Sequence, residues 1–403
     1  MEMDVIVKTK TLKEALEQAS KLIKGNKTVP VLNNAKIVAK DNELTIKTQD
    51  EISRFSITIE AEVKEANEVL IDPKMMLSIV KSFDDEYIFI TKEEGKPLNL
   101  QAGWTMTALA VKDVEGYPDY KDEETKELIE METKTLKEMI TRTSICCATD
   151  TNKPLFTGVY MKITNDNVIM AGTNTHFLGI AKTKNNKELN DEEEKELIIP
   201  KKFLEDIVGN NITDMKIKIG IQGNMVVFKY DNACYMVRTI EGRFPDINRV
   251  IPKENPINVT VEREKLEKSI SRTMLFDKDK KSTTMYFKIN EKEIMMNSKD
   301  EAGSINDKIK ILDAQGEDIK IAFNMEYLAK VLKWKEKYIN IGMKNSLSPA
   351  VFKKDEDEEK DTIEYTYVVT PLRTVETVKF EQDKKAAQEA EQTEETAKNE
   401  QAA

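Results

Sequence analysis

The predicted start of one helix occurs more than once in this sequence. The segments KTKTLKEALEQ from Lys8 and ETKTLKEMITR from Glu132 share the pattern T-K-T-L-K-E and lie 124 positions apart. A weaker third copy, VEREKLEKSISRT, starts at Val261. Self-similarity at a long, nearly fixed period indicates that one structural unit is used several times. Any fold for this chain must therefore contain several copies of a unit that includes this helix.

Each copy of the helix has one apolar side, because apolar residues recur at the three- and four-residue spacing of an amphipathic helix. We expect T-x-x-E capping boxes at Thr11 and Thr135 to begin the first two helices. The predicted buried residues are Leu12, Ala15, Leu16, Ala19, Leu22 and Ile23 in the first copy, Leu136, Met139, Ile140, Thr143 and Cys147 in the second, and Leu266 and Ile270 in the third.

The other side of each helix is predicted to face outward and is rich in basic residues. On one helix this is an ordinary solvated face, but repeated in register it indicates a shared positive surface that follows phosphates without reading bases. The outward basic residues are Lys13, Lys21 and Lys24, then Lys137 and Arg142, then Lys268 and Arg272.

Other landmarks repeat in the same order. VLIDPKMMLSIV (69–80) corresponds to LIIPKKFLEDIV (197–208) and, less closely, to IAFNMEYLAKVL (321–332), and VEGYPD (114–119) corresponds to IEGRFPD (240–246). Strand-like runs of alternating residues lie between them. The sequence therefore predicts an α+β protein of three repeated domains, 1–122, 123–253 and 254–374. A low-complexity acidic tail, 375–403, is predicted to be disordered.

The net charge of −11 is concentrated in short acidic runs. Residues 188–196 and 355–361 each carry −5, and residues 374–403 carry −4, so the rest of the chain carries +3. Acidic runs of this kind are typical of solvated loops. The overall charge therefore does not exclude a basic surface on the folded part.

The sequence contains little that predicts catalysis. It has one histidine and no metalloprotease, P-loop, dinucleotide-binding or nucleophile-elbow motif, so no metal and no cofactor is expected. A nucleophile built from Cys146 or Cys147 with His176 is formally open. Cys147 lies on the apolar side of a helix, however, where a free cysteine is typically a small hydrophobic residue.

The expected location is the cytoplasm. The N-terminal segment MEMDVIVKTK lacks the apolar stretch of a secretory signal, and no run is long enough to span a membrane. Three cysteines, two of them adjacent, do not form a disulfide framework.

Three further segments resemble signature segments of the bacterial sliding clamp, the β subunit of DNA polymerase III. They are EGRFPDINRVIP (241–252), AFNMEYL (322–328) and YVVTPLR (367–373), and the resemblance extends over residues 1 to about 374. It implies three DNA-clamp domains per chain and a head-to-tail homodimer that closes into a six-domain ring. Such a clamp is not an enzyme: it encircles duplex DNA without sequence preference and tethers the replicative polymerase for processive synthesis.

The resemblance also implies a pocket for short partner peptides from the DNA polymerase III catalytic subunit, the clamp loader and other proteins that carry a clamp-binding motif. One departure affects its wall, because the family's common T-D-G-H-R-L is Thr173-Asn174-Thr175-His176-Phe177-Leu178 here. The implied pocket residues are Phe156, Thr173, His176, Leu178, Pro245, Arg249, Val250, Asn324, Tyr327, Leu347, Val368, Val369, Pro371, Leu372 and Arg373.

Contacts with DNA and with the second chain are implied in the same way. The residues expected to approach phosphates are Lys24, Lys27, Lys74, Lys153, Lys201 and Lys202, and those expected at the dimer interface are Leu109, Met274 and Leu275. Three alternatives stay open at this point: a specialised or mobile-element clamp serving a different polymerase, a three-domain scaffold that never meets DNA, and the Cys–His enzyme.

Overall fold

The computed structural model describes residues 2–23, 25, 28–118, 124–150, 152–185, 194–209, 216–276, 283–299, 301, 303–333, 336–354 and 363–401. They group into two compact units. Unit 1 comprises residues 1–141, 163–166 and 185–241, and unit 2 comprises residues 142–162, 167–184 and 242–403.

The helices and strands are named in chain order. The first stretch contains β1 (Met3–Lys8), α1 (Thr9–Leu22), β2 (Ala35–Lys40), β3 (Glu43–Gln49), β4 (Ser53–Glu60), β5 (Glu62–Glu65), β6 (Asn67–Ile71), α2 (Pro73–Val80), β7 (Tyr87–Lys92), β8 (Leu98–Ala102) and β9 (Thr105–Leu109). The second contains β10 (Lys126–Glu132), α3 (Thr133–Ser144), β11 (Gly158–Ile163), β12 (Asn167–Thr173), β13 (Phe177–Lys184), β14 (Lys195–Pro200), α4 (Lys201–Gly209), β15 (Lys216–Gln222), β16 (Met225–Tyr230) and β17 (Ala233–Arg238). The third contains β18 (Ile257–Glu262), α5 (Arg263–Met274), β19 (Thr283–Lys288), β20 (Glu293–Lys299), β21 (Ser304–Gln315), β22 (Ile319–Phe323), α6 (Met325–Val331), β23 (Tyr338–Met343), β24 (Ala350–Lys354), β25 (Ile363–Val369) and α7 (Val375–Gln401).

The first two repeated helices begin three residues earlier than the predicted caps at Thr11 and Thr135 imply. A strand runs directly into each helix, so that α1 starts at Thr9 and α3 at Thr133, where the caps predicted Leu12 and Leu136. The Thr9 N–H donates to the Glu86 carbonyl (2.9 Å) and its hydroxyl to the Asp85 carbonyl (2.6 Å). At the start of α5, the Arg263 N–H donates to the Lys337 carbonyl in the same way (2.9 Å). The predicted capping boxes are therefore wrong, and at α1 and α5 the backbone just before the neighbouring strand supplies the partner for the helix start.

Unit 1 contains two antiparallel sheets, with strand orders β5-β1-β7-β8-β9 and β10-β15-β16-β17-β4-β3-β2-β6. Helix α1 packs on α2 and on the β3–β4 hairpin. Its apolar side is buried as predicted, with Leu12 and Leu16 fully enclosed. Strand β17 pairs with β4, and at this junction the rings of Phe55 and Tyr235 lie 4.5 Å apart.

Unit 2 contains a long antiparallel sheet in the order β11-β12-β13-β25-β24-β23-β18-β21-β20-β19-β22. Strand β25 pairs with β13 from Phe177↔Val369 to Thr183↔Ile363. Helix α5 packs on α6, β20 and β21, and buries Leu266 and Ile270 as predicted.

The acidic tail was predicted to be disordered, and the structure corrects this for residues 375–401, which form α7. Thr374 and Thr377 cap its start, because each hydroxyl accepts the other residue's N–H (3.2 and 3.0 Å). Phe380 then packs edge-on against Tyr286 (6.1 Å), and Glu381 accepts the Ser346 N–H (2.8 Å). Capping, good helix formers and one aromatic anchor order a segment whose composition alone indicated disorder.

Within the described residues, no helix combines the length and the apolar character that a membrane crossing requires.

Candidate peptide-binding site and DNA-facing helices

The tip of the β12–β13 hairpin is a turn held by its own side chains. Asn174 Oδ1 accepts the backbone N–H groups of His176 (3.0 Å) and Phe177 (2.8 Å). Thr175 takes a φ of 81°, a left-handed conformation that favours glycine, and its N–H donates to Thr173 Oγ1 (3.0 Å). The turn therefore forms without the glycine of the related T-D-G-H-R-L pattern.

Phe177 stands where that pattern has an arginine, and it is fully buried. Its ring stacks between those of Tyr327 and Tyr367, each at 5.5 Å. Gly179 makes room for this column, because a Cβ there would lie 2.6 Å from Tyr367 Cε1. An apolar stack thus replaces a charged side chain behind the hairpin.

The segment after Gly242 supplies the facing wall. Phe244 is buried against Tyr160 (4.8 Å, stacked) and Phe156 (6.2 Å, edge-on). Asp246 Oδ1 accepts the Asn248 N–H (3.0 Å) and so begins a short 3₁₀ helix at Ile247. Aromatic packing and this cap fix the direction of the chain beside the hairpin.

A cavity of about 210 Å³, which we call the unit 2 cleft, lies between these walls. Its surface is mostly apolar with a few polar groups, as is usual for sites that take short peptides or small ligands. The lining residues are Phe156, Thr173, Thr175, His176, Phe177, Leu178, Phe244, Pro245, Ile247, Val250, Val368 and Thr370. Seven of these were implied by the resemblance: Phe156, Thr173, His176, Leu178, Pro245, Val250 and Val368.

The remaining five lining residues were not predicted from the sequence: Thr175, Phe177, Phe244, Ile247 and Thr370. All lie inside or next to segments that were already quoted for the resemblance, so their neighbours in sequence were the available signal.

The other implied pocket residues do not line this cleft. Val369 is fully buried, because it follows Val368 on β25 and points to the other face of the sheet. Asn324 caps α6 by accepting the Glu326 N–H (2.9 Å). Tyr327 supports the cleft from behind, because its ring stacks on that of the lining residue Phe177.

The remaining five of these residues lie elsewhere in unit 2. The Leu372 N–H donates to the Ala322 carbonyl (2.7 Å), which places Pro371 and Leu372 beside β22. Arg249 is exposed and forms an ion pair with Asp246 (3.3 Å). Leu347 is half-buried, and Arg373 is exposed.

The cysteine pair is part of the core of unit 2. Cys147 Sγ donates to the Gly158 carbonyl (3.2 Å) and Cys146 Sγ to the Arg142 carbonyl (3.8 Å), and both thiols are buried. His176 lies exposed on the hairpin turn. Among the described residues, no group of three or more His, Cys, Asp or Glu side chains is arranged to hold a metal ion.

In unit 1, α1 and α3 bring lysines together. Lys10 and Lys21 are exposed on α1, and Lys21 Nζ donates to the Gly209 carbonyl at the end of α4 (2.8 Å). Partial burial, together with the positive charge of Lys21, lowers the pKa of Lys137 on α3. A lysine next to a second cation in this way favours the approach of an anion.

Arg142 does not face outward, and this part of the prediction is wrong. It is buried in unit 2, with its guanidinium over the Tyr365 ring (5.0 Å) and 3.8 Å from Glu336. The helix period placed it on the outer face, but Glu336 and Tyr365, which are 194 and 223 positions further along the chain, cover it.

The basic residues of α5 are exposed or half-buried, and each pairs with an acid. Lys265 Nζ lies 2.7 Å from Glu262, Lys268 4.0 Å from Glu264, and Arg272 2.5 Å from Asp307. Arg263 bonds Glu267 in the same manner. This helix therefore has the predicted basic residues but presents a largely neutralised surface.

The lysines expected near phosphates lie in several places. Lys74 and Lys202 are exposed in the first turns of α2 and α4, and Lys201 pairs with Glu205 (3.5 Å). Lys153 is exposed just before a 3₁₀ helix, Pro154–Thr157. Lys24 and Lys27 lie outside the described residues.

The residues expected at the dimer interface differ in exposure. Leu109, at the end of β9, is only 8% exposed, whereas Leu275, which follows α5, is 75% exposed. Met274 is half-buried. Two further residues were not predicted from the sequence: Trp104, just before β9, and Met106, in β9, are both exposed.

Three family models match consecutive parts of the chain. They describe the N-terminal domain of the DNA polymerase III beta subunit (residues 3–121), its central domain (130–246) and its C-terminal domain (248–372). Together they cover most of the sequence.

Similar whole proteins agree with these matches. A beta sliding clamp of Staphylococcus epidermidis is 25% identical over 386 residues, which cover 92% of this chain and 100% of that protein. The DNA polymerase sliding clamp of Bacillus subtilis has a similar structure, with a TM-score of 0.86, 21% identity, and coverage of 93% of this chain and 100% of that one. The DNA polymerase III beta subunit of Thermotoga maritima is also similar in structure, with a TM-score of 0.82 and 24% identity. The match covers 93% of this chain and 100% of that one. The chain belongs to the bacterial DNA polymerase III beta subunit family and consists of three of its clamp domains.

Proposed function

We propose that this chain is a DNA sliding clamp that dimerises head-to-tail into a ring around duplex DNA and tethers a replicative polymerase. The observation that supports it most strongly is the run of three clamp domains over residues 3–372. The relatives' name, beta sliding clamp, describes the same activity. A specialised clamp and a scaffold without DNA are not favoured by these matches.

The mode of dimerisation follows from strand junctions that the fold already uses. Strand β17 of the second stretch pairs with β4 of the first, and β25 of the third pairs with β13 of the second. The corresponding last strand of the first stretch is β9, which forms the edge of its sheet. The remaining counterpart is the first half of β21, where Ser304–Lys310 pairs with β20 on one side, and no second strand neighbour is described.

We therefore propose that β9 of one chain pairs with β21 of a second chain. A contact between two different surfaces closes when the two chains use it twice about a twofold axis. The exposed apolar side chains support this assignment, because Trp104 and Met106 lie at β9, and Leu275 and Leu312 lie on the third stretch. Large exposed apolar side chains that cluster near unpaired strand edges are typical of interfaces.

The function we propose requires no catalysis. A closed ring cannot leave DNA sideways, so weak contacts between lysines and phosphates hold it while still allowing it to slide. The lysines of α1 and α3 are the best-supported candidates for such contacts. Lys21 on α1 lies close enough to Lys137 on α3 for its charge to help lower the pKa of Lys137. A polymerase bound to the ring remains at high effective concentration near the primer.

We further propose that the unit 2 cleft takes the clamp-binding peptides of the polymerase catalytic subunit, the clamp loader and other partners. The cleft is apolar, preformed and fixed by aromatic packing, which lowers the cost of ordering a bound peptide. His176 and Thr173 supply polar groups at one side.

Sedimentation tests the proposed assembly. We expect the parent chain to be a dimer and Leu275→Asp to shift it toward monomer, because burying a leucine contributes about 1.5–3 kcal/mol. Val250→Asp makes the same apolar-to-acid change at an exposed residue outside β9 and β21, and so controls for the added charge. An unchanged dimer in Leu275→Asp contradicts the assignment of this interface.

A further inference from the structure

Unit 1 contains a cavity of about 320 Å³ that is built in the same way as the unit 2 cleft. It lies between a 3₁₀ helix, Pro30–Asn33, the tip of the β3–β4 hairpin and the end of β17. We call it the unit 1 cleft. Its lining includes Leu32, Ile52, Arg54, Pro118 and Arg238.

The short helices at the two clefts match closely. Val29 and Lys153, which precede them, have φ/ψ of −125°/80° and −123°/70°. The Leu32 N–H donates to the Val29 carbonyl at 3.1 Å, and the Phe156 N–H donates to the Lys153 carbonyl at 3.0 Å. Leu32 and Phe156 are 124 positions apart, the same interval as the repeated helix starts.

The hairpin tips share the two side-chain hydrogen bonds that close the turn. In unit 1, Asp50 Oδ1 accepts the N–H groups of Ile52 (2.9 Å) and Ser53 (2.6 Å), as Asn174 does in unit 2. The Arg238 N–H donates to the Ile52 carbonyl at 2.8 Å.

The corresponding bond in unit 2 runs from the Thr370 N–H to the His176 carbonyl, at 2.9 Å. The third wall also corresponds, because Tyr117-Pro118 stands where unit 2 has Phe244-Pro245. All three walls of the cleft are therefore present twice in the chain.

The side chains on this shared frame differ between the two clefts. Ile52 takes the place of His176, Arg54 that of Leu178, and Arg238 that of Thr370. The charged groups that line the unit 1 cleft are Asp50, Glu51, Arg54 and Arg238. Asp50 is engaged by the turn, whereas the exposed Arg238 side chain has no ion-pair partner among the described residues.

We propose that the unit 1 cleft is a second peptide site, which takes a short segment with an aliphatic anchor next to a carboxylate. The anchor packs on Leu32, Ile52 and Pro118, and the carboxylate accepts hydrogen bonds from the Arg238 guanidinium. Arginine suits this role because its planar donors match a carboxylate. This inference rests on the proposed function only in assuming that the matching cleft in unit 2 binds peptides.

The test uses the full-length chain and a fluorescent peptide with an amidated C-terminus, Gln-Leu-Asp-Leu-Phe-NH₂, with Gln-Leu-Asn-Leu-Phe-NH₂ as the matched probe that lacks a carboxylate. Calorimetry and anisotropy should give two acidic peptides per chain. Ile52→Asp and Val250→Asp should each leave one site, and the double variant none. Ile52 and Val250 are each more than 40% exposed, so the fold should tolerate these substitutions. Circular dichroism checks that the variants are folded.

Arg238→Ala should weaken the unit 1 site about tenfold for the acidic peptide and leave the neutral peptide unaffected. One site in the parent that Val250→Asp removes would overturn the second site and leave the proposed function intact. One site that Val250→Asp does not remove would instead contradict the proposed role of the unit 2 cleft. Equal affinity of both peptides in the parent and in Arg238→Ala would overturn the carboxylate preference.

Discussion

Helices α1 and α5 occupy the same place in the repeat and bury the same side, yet their outer surfaces differ in charge balance. On α1, Lys10 and Lys13 have no ion-pair partner among the described residues, and Glu17 pairs with Lys81 (2.9 Å) outside the helix. On α5, each basic side chain lies within 4.0 Å of an acid.

The difference indicates that a shared scaffold does not imply a shared electrostatic role. Ion pairs at the surface contribute little stability, but they reduce the positive potential that phosphates meet. We therefore expect the first copies of the helix to supply most of the DNA contact. The third copy is better suited to the proposed dimer interface, because the exposed Leu275 directly follows α5.

The largest expected effect comes from reversing the charge of two lysines on α1. Lys10→Glu/Lys13→Glu should lower affinity for duplex DNA and reduce the salt slope of binding by about two, because two phosphate contacts are lost. Anisotropy titrations over a range of salt concentrations measure both quantities.

Lys265→Glu/Lys268→Glu on α5 is the matched control, since it changes the charge by the same amount. Its salt slope should remain near that of the parent. Equal losses in the two double variants would remove the distinction between the helices.

A smaller effect should follow from making α5 resemble α1. Glu262→Gln/Glu264→Gln removes the acids beside Lys265 and Lys268. Affinity for DNA should then rise about two- to threefold, because the lysines regain their full local potential. Glu60→Gln/Glu65→Gln, on unit 1 strands, provides the control for net charge. The same rise in both variants would indicate a general charge effect and no role for α5.

The smallest effect concerns a single proton. Burial and Lys21 hold the pKa of Lys137 below its ordinary value, since both disfavour the charged form. A bound phosphate should raise this pKa, and proton uptake should accompany DNA binding on the alkaline side. Lysine NMR titration with and without duplex DNA measures the shift. In the protein without DNA, Lys21→Gln should raise the pKa of Lys137 part of the way to its ordinary value. An unchanged pKa with saturating DNA would place Lys137 away from phosphate.

The sequence predicted the buried side of the repeated helices because periodicity depends on local spacing alone. It failed where distant residues decide the outcome. Arg142 is covered by Tyr365 and Glu336, and the start of α1 is set by Asp85 and Glu86. No local pattern contains these partners.

The candidate sites show the same division. Seven residues of the unit 2 cleft follow from the resemblance, whereas Phe177 was a departure from the family pattern whose stacked place required the structure. The unit 1 cleft was in principle visible in the repeat interval that relates Leu32 to Phe156, but its hydrogen bonds were not. The helical tail was missed because acidic low-complexity composition fits both a solvated helix and disorder.

Retention on DNA of different topology tests the central claim most directly. The chain is loaded onto nicked circular duplex DNA by a clamp loader, the excess is removed by gel filtration at high salt, and one half of the sample is then cut once. A ring held by topology should stay on nicked circles and be lost within minutes of linearisation, and Leu275→Asp should not be retained on either form. Equal retention on circular and linear DNA would show that contacts alone hold the protein, and would contradict the sliding-clamp mechanism.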